Sequence, residues 1–169
     1  MLVISSIHDF LHDAHVPYVL MPHPPAFTAE EEAAAVHVPG RAWAKVVICM
    51  VDDLPVEVLL PATLTVNLER LRTLARGRTI RLADEKELAG LFPGCERGAL
   101  PPFGPLYGLE VFVDVSLAAA DEIVCNAGTH TDAIGMGWPH FAASVRPIVG
   151  NFAEARVDRV AAFRLSYRE

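Results

Sequence analysis

Lysine is nearly missing from this chain. Lys45 and Lys86 are the only two among fourteen basic residues, set against twenty-one acidic ones and a formal charge of −7. A general nucleic-acid binder draws most of its affinity from phosphate contacts and shows a basic balance, so that class is excluded. What remains open is contact with a small part of a nucleic acid through local basic groups. Cysteine is also scarce: Cys49, Cys95 and Cys125 lie far apart with no CxxC spacing, an odd set that argues for reduced thiols in the cytoplasm rather than a disulfide framework. No apolar run approaches the ~20 residues of a membrane span, and MLVISSIHDF lacks the basic and long apolar regions of a signal peptide. GxSxG, the P-loop, GxGxxG after a strand and HExxH are all absent.

Apolar residues make up 52% of the 169, enough for a real core. The length fits one domain, expected over residues 1–150, with a tail at 151–169 as helix or strand. Ser5 or Ser6 is placed to cap a first helix, IHDFLHDAH, with Pro17 ending it and YVLM following as a strand. Thr28 with Glu31 has the capping-box spacing for a second helix. KVVICMV and VEVLL read as a hairpin around Asp52-Asp53, with Val47, Cys49, Val58 and Leu60 buried. Residues 67–75 have helical spacing with Gly77 as the C-terminal cap; TIRLA is a strand; Asp84 and Glu87 cap EKELAGLF. LEVFVDVSL, DEIVCNA and AIGMGW read as strands, and PHFAASV as a short helix. The sum is an α+β single domain, not a regular βαβ alternation.

Three segments join a strand end to an exposed polar group or a free backbone: Lys45, the Gly/Pro-rich loop at 98–104, and Ala127-Gly128-Thr129-His130. Loops held by a rigid sheet are where sites concentrate. Each also has a plain reading: Lys45 as a strand-end residue snorkelling to solvent, the loop as a long surface turn, His130 as a turn residue bonding its own backbone. His8 and His12, at i and i+4, fit one helix face with His15 near, and Cys125 with His130 is the one Cys/His mix, but neither set has the ligand spacing of a zinc site. Arg70, Arg72, Arg76, Arg78 and Arg81 form a basic stretch that fits either an RNA contact or a solvated face.

Taken in order, these segments resemble the YbaK/ProX aminoacyl-tRNA editing domains. His23 and Thr28 come early; Ala44-Lys45 leads into an apolar strand; Gly98-Ala99-Leu100-Pro101-Pro102, extended by Phe103-Gly104, stands where the family has GxxxP; Asp114 and then Ala127-Gly128-Thr129-His130 follow. The resemblance covers roughly residues 1–150. It implies a curved, barrel-like mixed sheet with helices packed outside, and hydrolysis of misacylated tRNA without metal or cofactor. It implies Lys45 and His130 as catalytic residues, with His23, Thr28, Gly98, Pro102, Phe103, Gly104, Gly128 and Thr129 as substrate-binding residues. The implied partner is the acceptor end of an aminoacyl-tRNA, with an aminoacyl-tRNA synthetase as a further partner and neither membrane nor DNA. Val46 departs from members with a polar residue after the Lys, so amino-acid specificity does not carry over. The alternative expectation is a non-catalytic binding module of the same fold for an aminoacyl-tRNA end, a small ligand or a synthetase.

Overall fold

The hairpin at Asp52-Asp53 organises the molecule. A computed structural model describes residues 3–157. In it β2 (Ala44–Val51) and β3 (Leu54–Pro61) pair antiparallel, Lys45 opposite Leu60 and Cys49 opposite Val56. Asp52 and Asp53 both take positive φ, 48° and 63°, the left-handed pair that a two-residue turn needs to match strand twist. Asp52 then accepts N–H bonds from Arg78 and Thr79 at 2.8 Å each, fastening the hairpin tip to a distant loop. Cys49, Val58 and Leu60 are fully buried, as expected; Val47 is half-buried.

A five-stranded mixed sheet grows around this hairpin in the order β5-β2-β3-β6-β9, where β5 is Ile80–Leu82, β6 is Glu110–Asp114 and β9 is Ile148–Gly150. β5 is antiparallel to β2, while β6 runs parallel to both β3 and β9. A second, antiparallel ladder holds β1 (Tyr18–Pro22), β8 (Asp132–Gly137) and β7 (Glu122–Asn126) in the order β1-β8-β7. β4 (Leu64–Val66) pairs with β10 (Ala153–Ala155) as a third. Among the described residues a single bridge, Trp43 to Val124, joins the first two, and the ladders do not close into a barrel. β10 lies in the segment expected as a tail; residues beyond 157 lie outside the described part, so the rest of that expectation does too.

Helices cover the sheets. α1 (Val3–Asp13) begins before Ser5 and Ser6, so neither caps it; it buries Ile7 and Leu11 against Phe103, Val113 and Phe141. α2 (Ala29–Ala35) is capped as expected by Thr28, whose hydroxyl accepts from Glu31 N–H at 3.1 Å, although the Glu31 carboxylate reaches back to Phe27 N–H instead of closing the box on Thr28. α3 (Leu68–Leu74) starts at Asn67, and α4 (Glu85–Leu91) carries the full Asp84–Glu87 capping box. At the end of α3 it is Arg76, at φ 55°, that takes the left-handed conformation expected of Gly77; Gly77 is required by space, since a Cβ there would stand 2.4 Å from Val51. VSL is not strand: Asp114 accepts from Ser116 N–H and turns the chain into α5 (Val115–Ala118). Its other carboxylate oxygen accepts from the N–H groups of Phe152 and Ala153 at 2.8 and 2.7 Å, which holds β10 in place. α6 (Trp138–Val145) buries Phe141 and Val145. Among the described residues no helix is long and apolar enough to cross a membrane.

Candidate functional site

Residues 95–98, the turn at 126–132 and the inner face of α2 meet in one hydrogen-bonded knot. Glu96 N–H donates to Gly128 carbonyl at 2.8 Å, and the Glu96 carboxylate accepts from His130 N–H at 2.8 Å, so one residue brackets the turn from both sides. The His130 ring returns the contact. Its Nε2 lies 2.6 Å from the Arg97 carbonyl oxygen, which can only accept, so Nε2 carries a proton. Its Nδ1 lies 3.2 Å from Glu32 Oε1, and that same oxygen accepts from Asn126 Nδ2 at 2.7 Å. Ala26 N–H donates to His130 carbonyl and His23 N–H to Thr131 carbonyl, stitching the segment before α2 onto the turn. Phe27, largely exposed, leans over the His130 ring with centroids 5.0 Å apart.

The electrostatics follow from burial. Glu32 is 1% exposed, and burial raises its pKa against the pull of Asn126 and His130. For His130, burial works downward, but the Arg97 carbonyl, Glu32 and Glu96 outweigh it and the pKa is raised. Both partners of the pair are therefore shifted upward, and they share the proton at Nδ1. We take the imidazolium–carboxylate form as dominant, because His130 faces two acceptors and a second carboxylate.

Gly98 stands at the tip of this knot with φ 81°, a conformation that disfavours any side chain; a Cβ would point at the His130 ring, 3.5 Å from Cε1. Among the described residues its N–H has no acceptor. Beside it, Leu88, Ala89, Phe92, Cys95 and Leu100 floor a cavity of about 200 Å³, rimmed by Glu85, Glu96 and Arg97. A wider groove of about 1020 Å³ lies along α1, lined by Val3, Asp9, Asp13 and Tyr107, and holds none of the expected site residues.

Thus the structure brings His23, Gly98, Gly128 and His130 together. Gly128 (φ 92°) is packed against α1, where a Cβ would meet Val3 at 2.8 Å, and so stands there for close packing. Thr129 is engaged with Asp132 at 2.7 Å and Thr28 with its helix cap. Pro102, Phe103 and Gly104 are buried under the loop: Phe103 packs between Phe10 and Phe141, and a Cβ on Gly104 would collide with Val111 at 2.4 Å. These three anchor the loop from below. His23 keeps Nδ1 on the Pro24 carbonyl at 2.8 Å while its buried Nε2 has no partner.

Lys45 is placed apart. Alternation along β2 puts it on the face of Val47 and Cys49, opposite Val46, which packs against the cluster of Ile48, Phe92 and Leu109. Its ammonium donates to the Leu64 carbonyl, near Arg156 and Glu30, and its pKa is lowered by burial and by Arg156, with Glu30 opposing. The five Arg of 70–81 divide: Arg72 is held by Glu69, and Arg81 by two bonds to Glu87 at 2.8 and 2.7 Å. Among the described residues no cluster of three His, Cys, Asp or Glu is placed to hold a metal.

Glu32, Glu96, Asn126 and Glu57 were not foreseen. Glu57, in β3, is fully buried beneath Gly104 with neither carboxyl oxygen well hydrogen-bonded, and burial pushes its pKa up to about 8 while the Gly104 N–H draws it back. Its one signal in the sequence is a charge inside the apolar run VEVLL, a pattern that usually marks a solvated strand face. Glu32 hides in a run of three glutamates at a helix start, where helix-dipole stabilisation explains acids without any site.

A family model described as an aminoacyl-tRNA editing domain matches residues 23–142. The crystal structure of hypothetical protein APE2540 is similar over 88% of this chain and 99% of its own, with TM-score 0.79 and 19% identity. A protein proposed to be a trans-editing enzyme for prolyl tRNA synthetase aligns over 90% of this chain and 98% of its own, with TM-score 0.76 and 22% identity. A larger protein from Marinobacter aquaeolei VT8, proposed to act in signal transduction, carries the fold in 35% of its length, covering 99% of this chain with TM-score 0.72 and 16% identity. At such identities these three likenesses establish the fold alone. No curated protein sequence matches the chain.

Proposed function

This chain belongs to the aminoacyl-tRNA editing domain family, and from that premise we propose that it acts in trans as a deacylase, hydrolysing the ester between a small amino acid, such as Ala or Ser, and the terminal ribose of a mischarged tRNA. The observation that carries the reading is Gly98: a glycine at φ 81° with a free N–H, held rigid by the His130 clamp beside a cavity of about 200 Å³. A cavity of that size suits a small side chain, and its apolar floor gives no polar group to a larger one.

In the proposed reaction, water attacks the ester carbonyl carbon, the bond to the ribose oxygen breaks, and that oxygen leaves with a proton. An ester is already activated compared with an amide, so placement and stabilisation of the developing oxyanion are the main requirements. The Gly98 N–H serves as an oxyanion donor. The family resemblance gives Lys45 the role of a compact cation for the ribose-phosphate or the carbonyl oxygen, while its ammonium here rests on the Leu64 carbonyl, on the face of β2 turned away from the loop. His130, with both nitrogens engaged, acts by holding the loop. The reaction uses no resident metal, so chelation is expected to leave its rate unchanged. The working site is the cytoplasm, and a synthetase is the natural source of the mischarged tRNA.

The second reading, a non-catalytic module that binds the aminoacyl end, is favoured by the engaged state of both Lys45 and His130. A deacylation screen over a panel of mischarged tRNAs separates the two. Turnover above background on at least one small-side-chain ester is the expected result; binding with no turnover across the panel selects the module instead.

A further inference from the structure

The inner face of α2 delivers a buried carboxyl group to the His130 ring. Glu32 sits on the inner face of that helix at 1% exposure, and nothing in the hydrolysis chemistry uses it. One of its oxygens takes bonds from two donors, Asn126 at 2.7 Å and His130 at 3.2 Å. Burying an ionised carboxylate is costly unless it is paired and hydrogen-bonded, and both conditions are met here by residues from the site. Resting on the deacylase reading above, we propose that Glu32, oriented by Asn126, is a positioning residue: it holds His130 as a doubly donating imidazolium whose Nε2–H locks the Arg97 carbonyl and so fixes the Gly98 N–H for the substrate.

The geometry makes each link necessary. The peptide unit whose oxygen is Arg97 carbonyl has Gly98 N–H as its other end, so a bond to one orients the other. The 2.6 Å contact from Nε2 to the Arg97 carbonyl is the direct hydrogen bond that ties the ring to the loop. With Glu32 ionised, a neutral imidazole has one N–H, which would have to choose between Arg97 and Glu32, so the charged ring and the charged carboxylate go together. The groups facing the ring supply the rest of the field. Glu32 comes from α2 and Glu96 from the loop; His23 is the smallest influence on Glu32; the Arg97 side chain is turned away onto Glu85. Phe27 covers the exposed side of the ring.

The test uses the whole chain and follows His130 by NMR titration alongside amide exchange at Ala99, whose N–H donates to Glu96 across the same turn. In the unaltered protein the His130 midpoint should lie above the ordinary value of ~6.5. Ala99 protection should fall as pH rises through that midpoint. Glu32→Gln, which keeps the shape and removes the charge, should move the His130 midpoint, the loss of Ala99 protection and the basic limb of the deacylation profile to lower pH together, with kcat rather than KM carrying the change. A His130 midpoint at or below ~6.5 in the unaltered protein overturns the proposal without any variant. So does a Glu32→Gln protein that loses thermal stability while all three midpoints stay put, since that describes a merely structural acid. Should no mischarged tRNA be hydrolysed, the deacylase reading fails, while titration and exchange still decide whether Glu32 sets the charge and the loop.

Discussion

Lys45 and Val46, neighbours in β2, deliver their side chains to opposite faces of the five-stranded sheet: the first gives its ammonium to the Leu64 carbonyl, the second packs against the Ile48, Phe92 and Leu109 cluster that Leu100 of the Gly/Pro-rich loop also covers. The two faces separate Lys45 from Gly98, so the role that the family resemblance gives Lys45 is the part of the deacylase reading to test first. Lys45→Ala should lower deacylation by ~100-fold or more with the fold intact, because an oriented contact near the reacting bond commonly supplies several kcal/mol of barrier. Lys45→Arg should fail to restore it, a planar guanidinium being a poor substitute for a compact ammonium. Single-turnover kinetics with circular dichroism as the fold control measure both, and full activity in Lys45→Ala would remove Lys45 from the site.

Gly98→Ala tests the loop from the other side. At φ 81° an L side chain is strained by about 1 kcal/mol, while the space toward His130 is ordinary contact distance at 3.5 Å. Stability should thus fall only slightly. Deacylation should fall much further, since the loop relieves its strain by turning the Gly98 N–H. Equal, small losses in melting temperature and rate would show that this N–H has no part in the reaction.

How much of this was open to the sequence depends on which force decides each piece. The hairpin, the capped helices at Thr28, Asn67 and Asp84, and the buried Cys49 follow from local chemistry, and local chemistry is written in adjacent residues. β4 and β9, three residues each, exist only because β10 and β6 lie beside them, so no periodicity announces them. The family motif grouped Lys45 with the 98–104 and 127–130 segments; Gly98 and His130 do meet, while Lys45 lies on the other face of β2. The motif gave no account of Phe103, which sits in the core, or of Glu32, whose partner is 98 positions away in His130. Pairings at that range are properties of the fold, not of any window of sequence.

Glu57 should make the protein sensitive to alkali. Its folded pKa, about 8, is raised above the ordinary carboxylate value, so the folded chain holds a proton that the unfolded chain has released. Stability then declines as pH rises from the ordinary value through about 8, and is flat above it. Glu57→Gln removes the titrating group at nearly constant shape. Denaturant melts across pH 5 to 9, a range chosen to span roughly that window, should show the variant gaining on the parent up to about pH 8 and levelling off beyond it. A constant difference between the two at all pH values would mean that Glu57 is solvated or paired in solution.

Phe103 separates a core residue from a substrate contact. It lies in the loop that the family motif assigns to the ligand, yet it is fully buried, with ring centroids 5.8 Å from Phe10 and 6.3 Å from Phe141. Truncating a buried aromatic removes its transfer free energy and leaves a cavity, together about 3 to 5 kcal/mol. Phe103→Ala should therefore lose a large part of the stability of a domain this size, and Phe103→Leu, which refills much of the space, should recover most of it. Because the same ring supports the loop from beneath, deacylation at low temperature, where the variant is still folded, should be only modestly reduced and KM nearly unchanged. The opposite pattern, an unchanged melting temperature with KM raised tenfold or more, would place the ring in contact with substrate and turn the loop outward from the core assigned to it here.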